Sequence, residues 1–239
     1  MSRLDKALVT RGLAPTRSRA QALIADGLVA VNGAPGKAST KVAESDVITI
    51  AEGANPYVSR AALKLAHALD LFALTPSGIA ADIGASTGGF TEVLLERGAA
   101  AVHAVEVGHG QMVQALAADP RVHLHEGVNA RHMPEGLLPP LDWIVSDVSF
   151  ISLEKALPPT LALAKPGAHL VALIKPQFEV GPEHVGKGGI VKDDAAREAA
   201  RLRIADWLRK LGWEILGEAE SPITGSDGNI EYLIAARKG

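Results

Sequence analysis

The chain has 239 residues, of which 47% are apolar, 21% charged and 4% aromatic; this is typical of a globular protein and excludes a disordered or collagen-like chain. It contains no cysteine, which excludes disulfide scaffolds, thiolate metal sites and cysteine nucleophiles and favours a reducing, cytoplasmic location. The chain starts without a continuous apolar segment and no later run reaches 18 apolar residues, so we predict neither a signal peptide nor a membrane span.

Charge is divided unevenly along the chain. Residues 1–64 contain nine lysines and arginines and five carboxylates, a net charge of +4, whereas the remaining 15 basic and 22 acidic residues give −7. Local charge, rather than the net charge of the whole chain, steers an encounter with a polyanion. The basic segment therefore favours nucleic acid as a partner, although a difference of this size also arises by chance.

The first fifty residues are predicted to form two helices and a small sheet. Apolar residues at helical spacing indicate one helix near the start of the chain and a second after Thr16. A strand at 29–31 is followed by an Asn32-Gly33 turn and a second strand at 47–50. The sequence therefore predicts a small α+β domain here.

Two arginines, Arg17 and Arg19, fall in the first turn of the second predicted helix. Cations are unfavourable at a helix N-terminus because the helix dipole opposes them. We therefore expect both arginines to meet an external anion such as RNA phosphate; the alternative is that they only solvate the helix end.

This segment resembles the S-four-type RNA-binding domain over residues 2–51. The matching segments are 3–5, 16–24 and 27–33. The resemblance implies that Arg3, Arg17 and Arg19 bind RNA. We predict domains at 1–52 and 58–239, joined by a short linker at 53–57 that contains glycine and proline.

Predicted strands and helices alternate after residue 58, which indicates a doubly wound, Rossmann-like α/β fold with its ligands at the carboxyl ends of the strands. The predicted strands are 79–83, 102–107, 143–146, 169–174, 213–220 and 230–235, the last of them antiparallel. The predicted helices are 59–71, one from Phe90, 111–118, 153–164 and 194–211.

The first of these strands ends in the glycine-rich segment DIGASTGGF at 82–90, which has three competing interpretations. A dinucleotide-binding fingerprint requires glycine where Ser86 stands. A hydrolase nucleophile elbow would use Ser86 with Asp147 and His184, but it leaves Asp82 without a role. The third interpretation is a site for S-adenosylmethionine.

The third interpretation uses every unusual residue of the segment. Asp82 can accept hydrogen bonds from a ligand's ammonium group, and the glycines let the loop close on a sulfonium cofactor. Glu106, at the end of the next strand, can accept hydrogen bonds from both hydroxyls of a ribose. The predicted cofactor-binding residues are Asp82, Gly84, Ser86, Gly88, Gly89, Phe90, Glu106, Asn129 and Asp147.

Charged residues also lie near the ends of other elements. Asp147 and Lys175 follow two predicted strands, Glu231 opens the last strand, and Lys64 is in the helix before the first. Buried, unpaired charges cost several kcal/mol each, so these four would compensate one another around one cleft. A purely structural ion-pair network is the alternative to a catalytic site.

The four residues resemble the Lys-Asp-Lys-Glu tetrad of FtsJ-like ribose 2′-O-methyltransferases, whose glycine loop is also similar. With the N-terminal segment, nearly the whole chain is similar to the TlyA (haemolysin A) family, which methylates cytidine 2′-hydroxyls in ribosomal RNA. The matching segments are 57–60, 82–91, 147–153, 175–179, 185–189, 221–225 and 228–232. In two departures, Ala61-Ala62 replaces glycines common in the family and Glu106 replaces its usual aspartate.

The resemblance implies ribose methylation of ribosomal RNA or a ribosomal subunit, with the large subunit favoured and S-adenosylmethionine as cofactor. Lys175 would be the base, Asp147 and Glu231 would orient its amine, and Lys64 would hold the ribose or phosphate of the substrate. Arg60, in the first matching segment, joins the predicted RNA-binding residues.

The reaction requires no metal, and the histidines form no metal-ligand cluster with carboxylates at helical spacing. His123 and His125 alternate along a predicted strand, and we interpret them as structural. The remaining alternatives are a non-catalytic RNA-binding protein, a serine hydrolase at Ser86 and a membrane-damaging haemolysin. The oligomeric state is left open.

Overall fold

The computed structural model describes residues 1–14, 17–51, 55 and 57–239. They form two compact units, Met1–Val58 and Ser59–Gly239, and each unit has a hydrophobic core of its own. The predicted linker at 53–57 and Thr16, before the second helix, lie largely outside the described residues.

The N-terminal unit contains two helices and two small antiparallel sheets. Its elements are β1 (Ser2–Arg3), α1 (Leu4–Thr10), α2 (Arg17–Ala25), β2 (Val29–Val31), β3 (Ala34–Pro35), β4 (Lys41–Val42) and β5 (Ile48–Ile50). Strand β2 pairs with β3 and β5, and β1 pairs with β4. The predicted helices and strands are confirmed; β3 and the β1–β4 pair were missed because two-residue strands show no periodicity.

The predicted Asn-Gly turn joins β2 to β3. Asn32 and Gly33 have φ angles of 51° and 81°, as expected for a type I′ hairpin turn with two left-handed central residues. The flanking residues Val31 and Ala34 are paired across the hairpin. The turn therefore fixes the register of this small sheet.

The larger unit is a seven-stranded sheet with helices. Its strands are β6 (Ile79–Ile83), β7 (Ala101–Glu106), β8 (Val122–Glu126), β9 (Leu141–Ser146), β10 (Ala164–Ile174), β11 (Trp213–Glu220) and β12 (Tyr232–Lys238). Its α-helices are α3 (Ala61–Leu71), α4 (Gly89–Glu96), α5 (Gln114–Ala117), α6 (Leu153–Ala156), α7 (Pro158–Leu161), α8 (Pro176–Glu179) and α9 (Asp194–Lys210). The predicted Rossmann-like α/β architecture is confirmed.

The strand order in this sheet is β11-β12-β10-β9-β6-β7-β8, and only β12 runs against the others. The chain moves outward from β6 through β7 to β8 and then returns to β9 on the other side of β6. Such a reversal of strand order opens a crevice at the carboxyl ends of the two central strands, β6 and β9. The fold thus predicts that ligands bind where these strands end.

The predicted helix at 153–164 is wrong in one respect, because α6 and α7 are two short helices. Pro158 and Pro159 have no N–H group to donate to the carbonyls of the preceding turn, so the first helix ends at Ala156. Pro158 then opens the second helix, where a missing donor costs nothing. The last strand also begins later than predicted, at Tyr232.

In the part of the chain that the structure describes, no helix is both long enough and apolar enough to cross a bilayer.

Candidate active site

Two adjoining cavities open where β6 and β9 end. The larger, of about 900 Å³, extends to Glu106 and Asn129, and the smaller, of about 210 Å³, extends to Phe90 and Lys175. The residues that line both cavities are Gly84, Ser86, Asp147 and Ser149. The glycine loop after β6 and the segment after β9 therefore meet at the junction of the two cavities.

Close backbone packing explains the glycines of this loop. Gly84 has φ 85°, and a Cβ atom there would lie 3.1 Å from the carbonyl oxygen of Asp147. Gly88 caps α4 with φ 97°, and a Cβ on Gly89 would collide with the hydroxyl of Ser59. Larger residues would therefore push the loop away from the neighbouring segments.

Glu106 connects the loops that follow β6 and β7. Its carboxylate is buried and accepts hydrogen bonds from the backbone N–H groups of Ser86, at 2.9 Å, and Gly108, at 2.8 Å. Each carboxylate oxygen can accept more than one hydrogen bond, so ligand hydroxyls can be added to these contacts. Glu106 lines the larger cavity, as expected of a ribose-binding residue.

Asp82 lies beneath the glycine loop rather than in the cavity wall. Its side chain is 0% exposed, and one carboxylate oxygen accepts a hydrogen bond from the Thr91 hydroxyl at 2.7 Å. Burial raises the pKa of Asp82 to about 7, although the bond from Thr91 opposes that rise. Asp82 therefore lines neither cavity, and a ligand in the cavities would not meet its carboxylate in this structure.

Phe90 and Asn129 line different cavities. Phe90 is buried in the first turn of α4 and lines the smaller cavity. Asn129 lines the larger one, and its side-chain oxygen accepts a hydrogen bond from the backbone of Arg131 at 3.0 Å. The amide group of Asn129 is thus held in place by a short 3₁₀ turn, Ala130–His132.

The four charged residues form two ion pairs. Lys64 Nζ lies 2.5 Å from Glu231 Oε2, with side chains only 8% and 3% exposed, and Lys175 Nζ lies 2.7 Å from Asp147 Oδ1. Burial raises the pKa of Glu231, whereas the nearby lysine ammonium groups lower it. The cavities reach Asp147 and Lys175 but neither Lys64 nor Glu231.

This pairing differs from two of the predicted roles. Lys64 was expected to hold substrate, but its buried ammonium needs a counter-charge and donates to Glu231 instead. Glu231 was expected to orient Lys175, but its carboxylate contacts Lys64. Of these four charged residues, only Asp147 and Lys175 line a cavity and are placed to meet a substrate in this structure.

The hydrolase interpretation is not supported by these contacts. The Ser86 hydroxyl hydrogen-bonds to Gln111 at 3.2 Å, and Asp147 is paired with Lys175. His184 lies 3.4 Å from Asp193 instead. Among the described contacts, the three residues of the proposed triad do not meet.

The predicted RNA-binding arginines have different surroundings. Arg3 and Arg17 contact Asp5 at 3.1 and 2.9 Å, and hydrogen bonding to Arg3 holds the pKa of this buried carboxyl well below its usual range. Asp5 thus offsets the helix dipole at Arg17, whose side chain remains 60% exposed. Arg19 is buried, which corrects its predicted position on the surface, whereas Arg60 is exposed.

Phe150 is a site residue that the sequence analysis missed. The residue is 90% exposed and lines the larger cavity, and its backbone has φ 66°. The Phe178 ring lies 5.1 Å away, centroid to centroid. A phenylalanine in the middle of a matched segment was the available signal, but only the fold shows that this residue is exposed.

Asn229 supports the segment that carries Glu231. Its side chain is buried, accepts a hydrogen bond from the backbone N–H of Val191 at 2.9 Å and donates to the carbonyl of Gly189 at 2.9 Å. These bonds tie the loop before α9 to the chain just before β12. The partners are about 40 residues away in sequence, so spacing alone gave no indication of this role.

Glu179, in α8, links the Lys175 segment to the segment after β9. It accepts a hydrogen bond from the backbone N–H of Leu153 at 2.8 Å and contacts Arg203 at 3.0 Å. Burial raises the pKa of Glu179 to about 7, and the bonds from Leu153 and Arg203 oppose the rise. The carboxyl group therefore titrates near neutral pH in the folded protein.

Replacing Glu179 with glutamine is expected to change how stability depends on pH. The folded protein holds this proton more tightly than the unfolded chain, where the pKa is 4.5, so the wild type loses stability as pH rises from about 4.5 to 7. Glu179→Gln removes this loss, and the stability difference, variant minus wild type, should rise by up to about 3 kcal/mol across that range. Urea unfolding at pH 5 and pH 8 measures it, with Glu154→Gln, which also contacts Arg203, as the control. An equal difference at both pH values would contradict the prediction.

Three histidines stack on neighbouring strands of the sheet edge. His123 and His125 lie on β8, and the His103 ring on β7 is 4.5 and 5.4 Å from theirs, centroid to centroid. Burial lowers the pKa of His103 to about 4, which keeps this ring neutral. Among the described residues, no cluster of three or more histidine or carboxylate side chains is arranged to hold a metal ion.

Comparison with known proteins follows the division into two units. Residues 57–238 match the family described as FtsJ-like methyltransferase, and residues 2–48 match the S4 domain. The 16S/23S rRNA (cytidine-2′-O)-methyltransferase TlyA of Mycobacterium tuberculosis is 45% identical, over 99% of this chain and 90% of that protein. Hemolysin A of Brachyspira hyodysenteriae is 40% identical, over 97% of this chain and 98% of that protein.

A solved structure is similar to this chain in both sequence and fold. A Streptococcus thermophilus protein that carries a hemolysin name is 37% identical and superimposes with a TM-score of 0.73, covering 99% of this chain and 88% of that one. Sequence identity and fold therefore agree over nearly the whole chain. The chain belongs to the TlyA family of FtsJ-like methyltransferases.

Proposed function

We propose that this protein transfers a methyl group from S-adenosylmethionine to the 2′-hydroxyl of a cytidine in ribosomal RNA. The observation that carries the proposal is the Asp147–Lys175 ion pair, 2.7 Å long, at the junction of the two cavities beside the glycine loop. The M. tuberculosis relative is named for this reaction. An rRNA substrate also implies a cytoplasmic location.

The cavities suit the proposed cofactor. A volume of about 900 Å³ is at the upper end for small-molecule sites and leaves room for a nucleotide beside the cofactor. Glu106 would accept hydrogen bonds from the cofactor's ribose, and Gly84, Phe90 and Asn129 would line its path. When bound, S-adenosylmethionine supplies a methyl group on a positively charged sulfur, a charge that the Asp147 carboxylate complements.

Lys175 is the proposed base. A ribose hydroxyl is hardly ionised at neutral pH, so its oxygen becomes a good nucleophile only when a nearby group takes the proton. The Lys175 amine reaches the smaller cavity and is held by Asp147. The lysine would take the hydroxyl proton when neutral, or stabilise the alkoxide when charged.

RNA would reach the catalytic unit beside Phe150. Its exposed ring offers a face on which an unpaired base can stack, which is how proteins commonly hold single-stranded RNA. Arg3, Arg17 and Arg60 are exposed or half-exposed cations that would contact phosphates. The N-terminal unit would thus contribute affinity while the larger unit contributes the chemistry.

The proposed function is tested by incubating the purified protein with S-adenosylmethionine and unmodified small and large ribosomal subunits. We expect one or more cytidines to become resistant to alkaline cleavage, because a 2′-O-methyl group blocks attack on the adjacent phosphate. Scoring the subunits separately tests the prediction that the large subunit is favoured. A methyl group found on a base would overturn the proposal.

Replacing Glu106 with alanine is expected to weaken S-adenosylmethionine binding. The change removes the proposed acceptor for the cofactor ribose and the support for Ser86 N–H and Gly108 N–H, a loss of about 1 to 3 kcal/mol. Isothermal titration measures the affinity. Glu126→Ala is the matched control, since Glu126 also ends a strand and accepts a backbone N–H bond but does not line either cavity. Equal affinities of the two variants for S-adenosylmethionine would contradict the assignment of Glu106 to the cofactor ribose.

Replacing Arg17 with glutamine is expected to weaken RNA binding and reduce its salt dependence. If Arg17 contacts one phosphate, the slope of log affinity against log salt should fall by about one unit. Arg3 and Gln21 still contact Asp5 in this variant, so the unit should stay folded. Arg121→Gln, on the other unit, is the control. An unchanged slope would contradict the prediction that Arg17 contacts an RNA phosphate.

A further inference from the structure

Ser149 contacts the catalytic lysine from the cavity side. Its hydroxyl oxygen accepts a hydrogen bond from Lys175 Nζ at 2.8 Å, and the residue lines both cavities. It stands two residues after Asp147, whose Oδ1 is 2.7 Å from the same nitrogen. The two strongest contacts of the amine therefore come from one short segment that follows β9.

This arrangement fixes the direction of the amine. A lysine nitrogen has three positions besides its bond to Cε, and a hydrogen bond to the Ser149 hydroxyl takes one of them. Asp147 Oδ1 is close enough for an ion pair but lies outside hydrogen-bond geometry. The backbone carbonyl of Asp147, at 3.4 Å, is a much weaker acceptor. In the neutral lysine, one N–H group points to the Ser149 hydroxyl and the other to the Asp147 carbonyl, and the lone pair takes the remaining position.

We propose that Ser149 is a positioning residue that directs the Lys175 lone pair towards the substrate hydroxyl. The ion pair with Asp147 alone would leave the amine free to rotate about the Cε–Nζ bond, because a contact outside hydrogen-bond geometry does not fix the direction of the N–H groups. With the Ser149 hydroxyl as acceptor, the free position of the nitrogen is set relative to the cavity junction. This inference rests on the proposed function of the same site.

The first test compares Ser149→Ala with Ser149→Thr. The alanine variant loses the short hydrogen bond to the amine, and we expect kcat for rRNA methylation to fall about 10- to 100-fold, the usual cost of a misaligned reacting group. KM for S-adenosylmethionine should change less than about twofold, because the hydrogen bond that the change removes is the one to Lys175. The threonine variant keeps the hydroxyl and should recover most of the lost rate.

A second test uses the absence of cysteine from the chain. Ser149→Cys introduces a single thiol, and a maleimide should label it in the folded protein because the residue lines both cavities. S-adenosylmethionine should slow that labelling. A thiol that reacts only after denaturation would overturn the placement of this side chain, independently of any activity measurement.

Two controls separate the inference from the proposed function. Ser77→Ala changes an exposed serine of the same unit, which lines neither cavity, and should keep nearly the wild-type kcat. Wild-type protein without rRNA methylation would refute the proposed function itself. Active wild-type protein with an equally active Ser149→Ala variant, or with a Ser149→Thr variant as slow as the alanine one, would overturn only the role of Ser149.

Discussion

Replacing Lys175 with alanine is expected to abolish methyl transfer while cofactor and RNA still bind. The amine is assigned to proton removal, and loss of a general base typically costs about 100- to 10,000-fold in rate. Asp147 would lose its ionic partner, but it lies beside an open cavity where water can replace the amine. Single-turnover methylation, with separate titrations of S-adenosylmethionine and RNA, measures the two effects.

Lys175→Arg separates the two possible roles of the lysine. Arginine keeps the positive charge but does not readily give up a proton, so it can stabilise an alkoxide but cannot serve as the base. An inactive arginine variant is the expected result. Wild-type rates in that variant would make Lys175 an electrostatic clamp and place the base elsewhere.

Replacing Glu231 with glutamine is expected to destabilise the larger unit by about 3 to 5 kcal/mol. The substitution keeps the shape of the side chain but leaves the Lys64 ammonium buried without a counter-charge. Urea unfolding of the full chain measures the change. Asp70→Asn is the matched control, because it breaks an ion pair with Arg97 that is largely exposed and should cost less than about 1 kcal/mol. A similar loss in both variants would contradict the prediction.

A double variant, Lys64→Met with Glu231→Leu, decides whether this ion pair is catalytic. Removing both charges together avoids the unpaired ammonium, so most of the lost stability should return. We expect the double variant to fold and yet to methylate poorly, because the electrostatic interaction of Glu231 with Lys175 is lost. Full activity in a stable double variant would favour the structural ion-pair network over the tetrad.

The parts of the fold set by local patterns were predictable. The alternation after residue 58 gave the Rossmann-like sheet, and the Asn32-Gly33 pair gave the hairpin turn, because both depend on neighbouring residues. The break between α6 and α7 could also have been predicted from Pro158 and Pro159. The antiparallel last strand was predicted as well.

The pairing of side chains was not predictable in the same way. Lys64 and Glu231 are 167 residues apart, and the sequence placed four charges at one cleft without indicating which would pair. Arg17 was expected to need an external anion because Asp5, its internal partner, lies on another helix. The same reason explains why Ser149 and Glu179 were not assigned roles.

The reversed direction of β12 has a consequence for the order in which the molecule is assembled. Because this strand alone is antiparallel, its amino end lies beside the carboxyl ends of its neighbours. Glu231, which immediately precedes the strand, therefore lies at that end of the sheet. During synthesis β10 and β11 leave the ribosome before the strand that must insert between them. Until then both present unpaired edges and Lys64 has no counter-charge. A nascent chain would therefore form its glycine loop and present Lys175 early. The Lys64–Glu231 ion pair would form only when β12 docks.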